Sequence, residues 1–284
     1  MGETQTRSAQ PRADALPSRR PVRTWWLSLA LLSAPLLLFL CLPLVALVLR
    51  IDLLSVLMRL GEPPVVQAIS LSLLTASLAT LIALFAGTPV AYLLARWSFR
   101  GRGVLDTLID LPMVLPPSVA GIALLITFGR RGLVGQYLAE WGVSLAFTSA
   151  AVVLAQTFVA APFYVKAAMG AFARVERELE QAAAIDGASP LQVFRLVTVP
   201  LSRTMLLGGL VMTWARALGE FGATIIFAGN LPGRTQTMPL AIYLGFELDL
   251  GVALTLSVIL LATSFAVLFV VKRILAQSVP SGSL

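Results

Sequence analysis

The sequence predicts an all-α membrane protein with about six transmembrane helices, because its composition is strongly apolar and its apolar runs are long. Hydrophobic residues make up 58% of the 284-residue chain and charged residues only 12%, and the mean hydropathy is +0.88. A soluble core of this size needs less apolar surface, so lipid is expected to cover much of it. A bilayer core of about 30 Å requires roughly 20 residues of helix, which makes each long apolar run a candidate span.

Six segments meet or approach this length. Four of them are long enough and contain no charged residue, and they cover residues 24–49, 63–95, 141–165 and 250–271. The third span in chain order, 111–129, is also free of charge but is barely long enough. The fifth, 204–228, is interrupted by Arg216 and Glu220.

The Lys and Arg residues between these spans predict the orientation of the chain. Most of the 21 lie before the first span, in the second and fourth connections, or after the last span, which places both termini in the cytoplasm. Residues 1–23 are rich in Pro, Ser and Arg and are predicted to be a disordered, basic cytoplasmic arm. A cleaved signal peptide is the alternative, but the apolar run that follows is too long for its core. The transmembrane domain then covers 24–275, and a cytoplasmic tail covers 276–284.

Several kinds of chemistry lack the residues that they require. The chain has no histidine and one cysteine, Cys41, so neither a zinc site nor a disulfide framework is expected. Its positive residues are strung between apolar runs, and nucleic acid is therefore not an expected partner. The phosphate loop G-x-x-x-x-G-K-[ST] is absent from the sequence, so this chain is not expected to bind ATP through such a loop. We predict that the chain has no catalytic residues, bound metal or cofactor.

The longest cytoplasmic connection contains a segment, about 172–200, that is predicted to form two short helices. Acidic residues and the alanines 182–184 favour the first helix, and Asp186-Gly187 ends it. Ser189 and Gln192 form a capping box that starts the second helix, which is expected to end before Pro200. These helices either pack on the protein's own spans or dock on a partner.

This segment resembles the cytoplasmic loop of ABC-importer permeases, whose motif is Glu-Ala-Ala, three residues, Gly, nine residues and Ile-x-Leu-Pro. The corresponding residues here are Gln181-Ala182-Ala183, Gly187 and Val197–Pro200, with Gln181 in place of the glutamate and Glu180 beside it. The resemblance implies a coupling segment that docks on a separate ATP-hydrolysing subunit and a fold like that of type I importers. The implied coupling residues are Glu180, Gln181, Ala182, Ala183, Asp186, Gly187, Val197 and Pro200.

Two further stretches resemble the molybdate-type permeases: LPMVLPPSVAGIALLITFGRRGLVG (111–135) and ARALGEFGATIIFAGNLPGRTQTMPLAIY (215–243). Sulfate permeases share part of the second stretch. The resemblance implies a permease homodimer in a bacterial inner membrane that imports molybdate, or alternatively tungstate or sulfate. Its implied partners are an ABC subunit that uses ATP and Mg and an extracytoplasmic substrate-binding protein. A proton-coupled secondary transporter that uses Glu220 is the other alternative.

Polar and kink-forming residues within the spans are candidates for the translocation path or its gate. They are Pro116, Pro117, Ser118, Thr213, Arg216, Glu220 and Thr224. Ordinary helix kinks and packing are an equal explanation for the prolines and threonines, as is mutual pairing for Arg216 and Glu220. The loop GNLPGRTQTMP either contacts the binding protein, through Asn230, Gly233, Arg234 and Thr235, or folds back to close the pore.

Overall fold

The computed structural model describes residues 22–277, which divide into two units on either side of the boundary between Arg50 and Ile51. The described part of the first unit is helix α1, Val22–Leu49. Its portion Ser28–Leu49 has a mean hydropathy of 2.6, high enough for a membrane span. Residues 1–21 of the predicted arm and residues 278–284 of the predicted tail lie outside the described part of the chain.

The second unit is helical throughout its described part, with no strand among those residues. Its elements, in chain order, are α2 Leu53–Arg59, α3 Pro63–Arg96, α4 Arg102–Val114, α5 Pro117–Phe128, α6 Gly135–Glu140, α7 Ser149–Ala173, α8 Arg177–Ile185, α9 Pro190–Val193, a π-helical turn Phe194–Thr198, α10 Val199–Leu218, α11 Gly222–Phe227, α12 Met238–Leu248 and α13 Leu250–Gln277.

Five helical stretches are long and apolar enough to cross a membrane. They are Ser28–Leu49, Pro63–Arg96, Ser149–Ala173, Pro190–Leu218 and Leu250–Arg273, and the bent pair α4–α5 brings the total to six if it counts as one span. The prediction of an all-α protein with about six spans is therefore confirmed.

The third span is bent rather than straight. Helices α4 and α5 meet at an angle of 114°, and Leu115 between them has an extended backbone with ψ 138°. The α conformation is disfavoured for a residue that precedes proline, and Pro116 and Pro117 follow in succession. Lys166 of α7 holds α4 in place, since its Nζ lies 2.6 Å from Asp106 Oδ1 and 2.8 Å from Asp110 Oδ2.

Three predicted spans have different bounds in the structure, and the third begins at Arg102 instead of residue 111. The fourth begins at Ser149 instead of residue 141, because the Thr148 side chain accepts a hydrogen bond from the Ala151 N–H and caps the helix there. The fifth ends at Leu218 instead of residue 228, because Gly219 terminates α10 and the chain restarts as the separate helix α11. Helix α12 was not predicted.

Helices α3, α7 and α10 pack closely because small residues face one another at their crossings. A Cβ atom on Gly87 would lie 3.0 Å from the ring of Tyr164, and one on Gly209 would lie 2.6 Å from the Cβ of Ala167. The Tyr164 hydroxyl is hydrogen-bonded to Thr88 Oγ1 at 2.7 Å. Tyr164 therefore joins the packing of α3 and α10 on α7.

Ion pairs and caps stabilise the end of the unit where α2 meets the α12–α13 connection. Asp52 caps α2 by accepting hydrogen bonds from the N–H groups of Leu54 and Ser55. Arg59 Nη1 lies 2.9 Å from Asp249 Oδ2, and this hydrogen bond is the main cause that holds the pKa of Asp249 below its ordinary value.

The crossing of α7 and α10 is tested by two neighbouring glycines. We expect Gly209→Ala to destabilise the protein by about 1–3 kcal/mol, because the new methyl group overlaps Ala167 and the two helices must separate. Gly208→Ala is the matched control, since no described atom lies within 4 Å of its Cβ position. Thermal unfolding in detergent measures both variants, and equal Tm values would contradict the packing described here.

Candidate coupling and translocation sites

The coupling segment, residues 172–200, has the two-part form that its residues predict. Helix α8 ends at Ile185, and Gly187 has φ +92°, a left-handed conformation that glycine adopts at little cost. The Ser189 N–H donates to Gln192 Oε1 at 2.7 Å, and the Gln192 N–H donates to Ser189 Oγ at 3.4 Å. The predicted turn and capping box are both confirmed.

The prediction that the second helix ends before Pro200 is wrong. Helix α9 continues through the π-helical turn into α10, so that Pro190–Leu218 is one run of 29 residues. In the π-helical turn the Val199 N–H donates to the carbonyl of Phe194, five residues back. A π-helical turn contains one residue more than an α-helical turn. The helix can therefore continue past Pro200, which has no N–H to donate.

One face of the coupling segment exposes apolar side chains. Ile185 is 85% exposed and Leu191 is 73% exposed, and Gln181, Ala182 and Asp186 are exposed beside them. Of the other predicted coupling residues, Ala183 and Val197 are half-buried and Pro200 is exposed. A cavity of about 410 Å³ lies between α8 and the end of α3, with Trp97, Gln181, Ala184, Ala188 and Pro190 among its lining residues.

Glu180 does not belong to this exposed face. Its Oε1 accepts hydrogen bonds from Arg96 Nη2 at 2.7 Å and from Thr198 Oγ1 at 2.6 Å. The side chains of Arg96 and Glu180 are only 8% and 15% exposed. Sequence reasoning assigned Glu180 to ATPase coupling and missed Arg96 and Thr198, because no local pattern connects residues 84 positions apart.

Arg216 and Glu220 pair with each other at the break between α10 and α11. Arg216 Nη1 lies 2.5 Å from Glu220 Oε2, and the Ala223 N–H donates to Glu220 Oε1 at 2.8 Å. Glu220 is only 1% exposed, but it follows the end of α10, so the prediction that both residues lie on one helix is wrong. The hydrogen bond that Glu220 accepts from Ala223 satisfies a backbone N–H at the start of α11, where the helix break leaves it without an intrahelical partner.

The two predicted path segments meet at this break. A Cβ atom on Gly222 would lie 2.7 Å from Pro117 Cβ, and one on Gly121 would lie 2.9 Å from the carbonyl oxygen of Ala223. The start of α5 and the start of α11 are therefore in direct contact. Pro116 and Ser118, the other predicted path residues here, are exposed.

Buried polar side chains near this region differ in how they are satisfied. Thr213 donates to the carbonyl of Gly209 at 2.9 Å, but Thr224 Oγ1 has no hydrogen-bond partner among the described residues. Gln156 of α7, which sequence reasoning missed, is fully buried, and neither of its amide atoms has a partner within the described chain. A glutamine within an apolar span was the available signal.

The loop between α11 and α12 folds back onto the unit. Thr235 is buried and its Oγ1 accepts a hydrogen bond from the Leu231 N–H at 3.0 Å, while Asn230 is half-buried. Only Gly233 and Arg234 of the four predicted binding-protein contacts are exposed. The loop is held by Ser149 Oγ, which donates to the carbonyl of Arg234 at 2.7 Å.

The described part of the chain is a multi-span helical membrane protein in which a capped segment continues directly into a span. The chain belongs to the family of binding-protein-dependent transport system inner membrane components, whose sequence model matches residues 83–279. The predictions of a multi-pass membrane protein and of a transport subunit of the ABC-permease type are therefore confirmed.

Named relatives are similar over most of the chain. The molybdenum transport system permease protein ModB of Mycobacterium tuberculosis is 45% identical over 228 residues, which cover 80% of this chain and 86% of the relative. ModB of Escherichia coli K12 is 45% identical over 178 residues, 62% of this chain and 78% of the relative. The sulfate permease CysT of Salmonella typhimurium is 34% identical over 264 residues, 92% of this chain and 95% of the relative.

Solved structures share the fold at low sequence identity. A bacterial ABC transporter involved in alginate import gives a TM-score of 0.71 at 16% identity, covering 90% of this chain and 96% of that chain. The MetNI methionine ABC transporter in an inward-facing conformation gives a TM-score of 0.57 at 18% identity, covering 78% and 97%. These similarities confirm the predicted type I importer fold.

Arg216 and Glu220 are expected to be energetically coupled. Arg216→Ala leaves Glu220 buried without its cation and lowers the folded yield, because an unpaired buried charge is costly. In Arg216→Ala/Glu220→Gln, no charge remains and the glutamine carbonyl still accepts from the Ala223 N–H, so part of the yield returns. The folded yields of the wild type, both single variants and the double variant are measured by size-exclusion chromatography in detergent. Purely additive losses would show that the two side chains have separate partners.

Proposed function

We propose that this chain is the permease subunit of an ATP-driven importer for molybdate, working as a homodimer with two ATPase subunits and an extracytoplasmic binding protein. The 45% identity to a molybdenum permease over 80% of the chain is the observation that supports the substrate. Tungstate is a tetrahedral dianion of the same kind and is proposed as a second substrate. Sulfate is the alternative supported by the 34% identity to CysT.

The family itself supports the external partner, since its members are components of binding-protein-dependent systems. The distribution of Lys and Arg residues supports a cytoplasmic location for both termini. In this orientation the coupling segment faces the cytoplasm, where ATP is available. The loop between α11 and α12 lies on the opposite side, where its exposed residues Gly233 and Arg234 face the binding protein.

The exposed face of the coupling segment has the chemistry of a docking surface. Ile185 and Leu191 present apolar side chains on either side of the Gly187 turn, and burial of such side chains in a partner groove is favourable. Alanines 182 and 184 leave room for a close backbone approach. We assign this face to the ATPase subunit, which binds the ATP and Mg that this chain does not.

The break between α10 and α11 is proposed to be the gate of the translocation path. A dianion needs N–H and O–H donors during passage but must not be trapped by clustered cations. Thr224 and Gln156 supply donors that are not used within the described chain, and the charge of Arg216 is largely balanced by Glu220. The path therefore offers hydrogen bonds without a strong positive centre.

A proton-coupled mechanism is not favoured by the surroundings of Glu220. A carboxylate that carries protons across a membrane must release its partners in each cycle, whereas Glu220 is buried and engaged by both Arg216 and a backbone N–H. Glu220 is accordingly a structural or gating residue in this proposal.

We expect molybdate uptake to depend on ATP and not on the proton gradient. Proteoliposomes that contain the permease and ATPase, with the binding protein outside, should accumulate labelled molybdate only when ATP is present inside. Excess tungstate should compete strongly and excess sulfate weakly. If a protonophore abolishes uptake while internal ATP stays high, the secondary-transporter alternative replaces this proposal, and stronger competition by sulfate would assign the chain to sulfate transport.

The turn at Gly187 gives a second test. Gly187→Val is expected to insert into the membrane normally but to co-purify poorly with the ATPase, because a β-branched residue is strained at φ +92° and displaces α8 relative to α9. Gly103→Val is the control, since its Cβ position is equally open but its φ is not positive. Ala188→Ser, beside the turn, should be nearly silent. Normal ATPase retention and uptake by Gly187→Val would contradict the docking assignment.

A further inference from the structure

We propose that Arg96, Glu180 and Thr198 form a buried junction that transmits movement of the coupling segment to spans α3 and α10. In this proposal Glu180 is a positioning residue and does not contact the ATPase. The inference rests on the proposed coupling function and assigns to Glu180 a role different from the one that its motif position implies.

The junction joins three elements through one carboxylate oxygen. Glu180 of α8 accepts at Oε1 from Arg96, the last residue of α3, and from Thr198, the last residue of the π-helical turn. Arg96 Nη2 also donates to the carbonyl of Val175, just after α7, at 3.1 Å. Charge-assisted hydrogen bonds of this length are the strong ones in proteins, and the position of α8 is therefore tied to the ends of α3 and α7 and to the helix that becomes α10.

Two other features hold the same contact. Arg177 of α8 donates from Nη2 to the carbonyl of Arg96 at 3.1 Å, which satisfies a free carbonyl at the end of α3. Beneath the junction, the ring of Tyr92 lies 5.5 Å from that of Phe172 and 4.9 Å from that of Phe194. The coupling segment is thus fixed to α3 by charge on one side and by aromatic packing on the other.

The direction in which Glu180 points separates it from the docking face. Glu180 and Ile185 are five residues apart on α8, roughly 140° around the helix. Ile185 is 85% exposed, whereas the Glu180 side chain is only 15% exposed. Ile185 therefore lies on a different face of α8 from the Glu180 carboxylate, which lines the cavity between α8 and the end of α3 together with Arg96.

Thr198 connects the junction to the proposed gate. Helices α9 and α10 and the π-helical turn form one run, Pro190–Leu218, which ends next to Glu220 and contains Arg216. A shift of α8 acts through Glu180 on the base of this run, and through Arg96 on α3. Chains of packed side chains, hydrogen bonds and rigid helices can carry coupling between two sites, and in this proposal the junction supplies the first step.

The test uses the complete complex in proteoliposomes and measures ATPase co-purification, ATP hydrolysis and molybdate uptake. Glu180→Gln removes the charge but keeps the side-chain shape, and Thr198→Val removes one hydrogen bond while leaving the Arg96–Glu180 pair intact. We expect both variants to retain the ATPase and to hydrolyse ATP, with uptake per ATP reduced about tenfold for Glu180→Gln and less for Thr198→Val. Thr198→Ser, which keeps the hydroxyl, should restore coupling.

Ile185→Ser is the reference for the docking face and should lose the ATPase itself. Leu133→Ser, which removes an apolar side chain that is also highly exposed but lies elsewhere, should retain it. If Glu180→Gln loses the ATPase as Ile185→Ser does, Glu180 is a docking contact and the junction proposal is overturned. Wild-type uptake per ATP in Glu180→Gln and Thr198→Val would also overturn it. Normal ATPase retention by Ile185→Ser, by contrast, would contradict only the docking assignment.

Discussion

The structure depends on one constraint: lipid offers no hydrogen bonds, so each backbone group that a helix break frees must find a partner inside the protein. At the end of α10 the Glu220 carboxylate accepts from the Ala223 N–H. At the start of α12 Ser72 Oγ accepts from the Met238 N–H at 2.7 Å. Before Pro200 the π-helical turn rearranges the backbone hydrogen bonds themselves. Two of the breaks in the described chain thus have a side-chain acceptor for a freed N–H, and the turn before Pro200 keeps the helix continuous.

The same chemical arrangement occurs at both ends of the long run Pro190–Leu218. Near its base a half-buried glutamate, Glu180, accepts from an arginine and from a hydroxyl. After its other end a buried glutamate, Glu220, accepts from an arginine and from a backbone N–H. In each case two donors satisfy one carboxylate, which makes its burial tolerable. The helix between them is consequently anchored at both ends by charge and along its middle by close packing on α7.

This arrangement suits a permease that responds to a partner. Close packing at Gly87 and Gly209 joins α3, α7 and α10, and well-packed interfaces are not easily compressed. The break after Leu218 and the bend between α4 and α5 are places where the backbone changes direction, and Gly222 and Pro117 bring them into contact. In the proposed mechanism, a displacement that starts at the coupling segment reaches the point where these two broken helices meet.

Local residues of the sequence determined the features that depend on local physics. Apolar length predicted the spans, Gly187 and the Ser189–Gln192 pair predicted the turn and cap of the coupling segment, and the motif spacing predicted the family. The tertiary structure alone decided that Glu180 pairs with Arg96 and that Thr235 is buried. A cap or a span is set by neighbours along the chain, whereas the partner of a buried charge is set by which helices pack together. Local sequence does not carry that information, because the residues concerned lie as many as 84 positions apart.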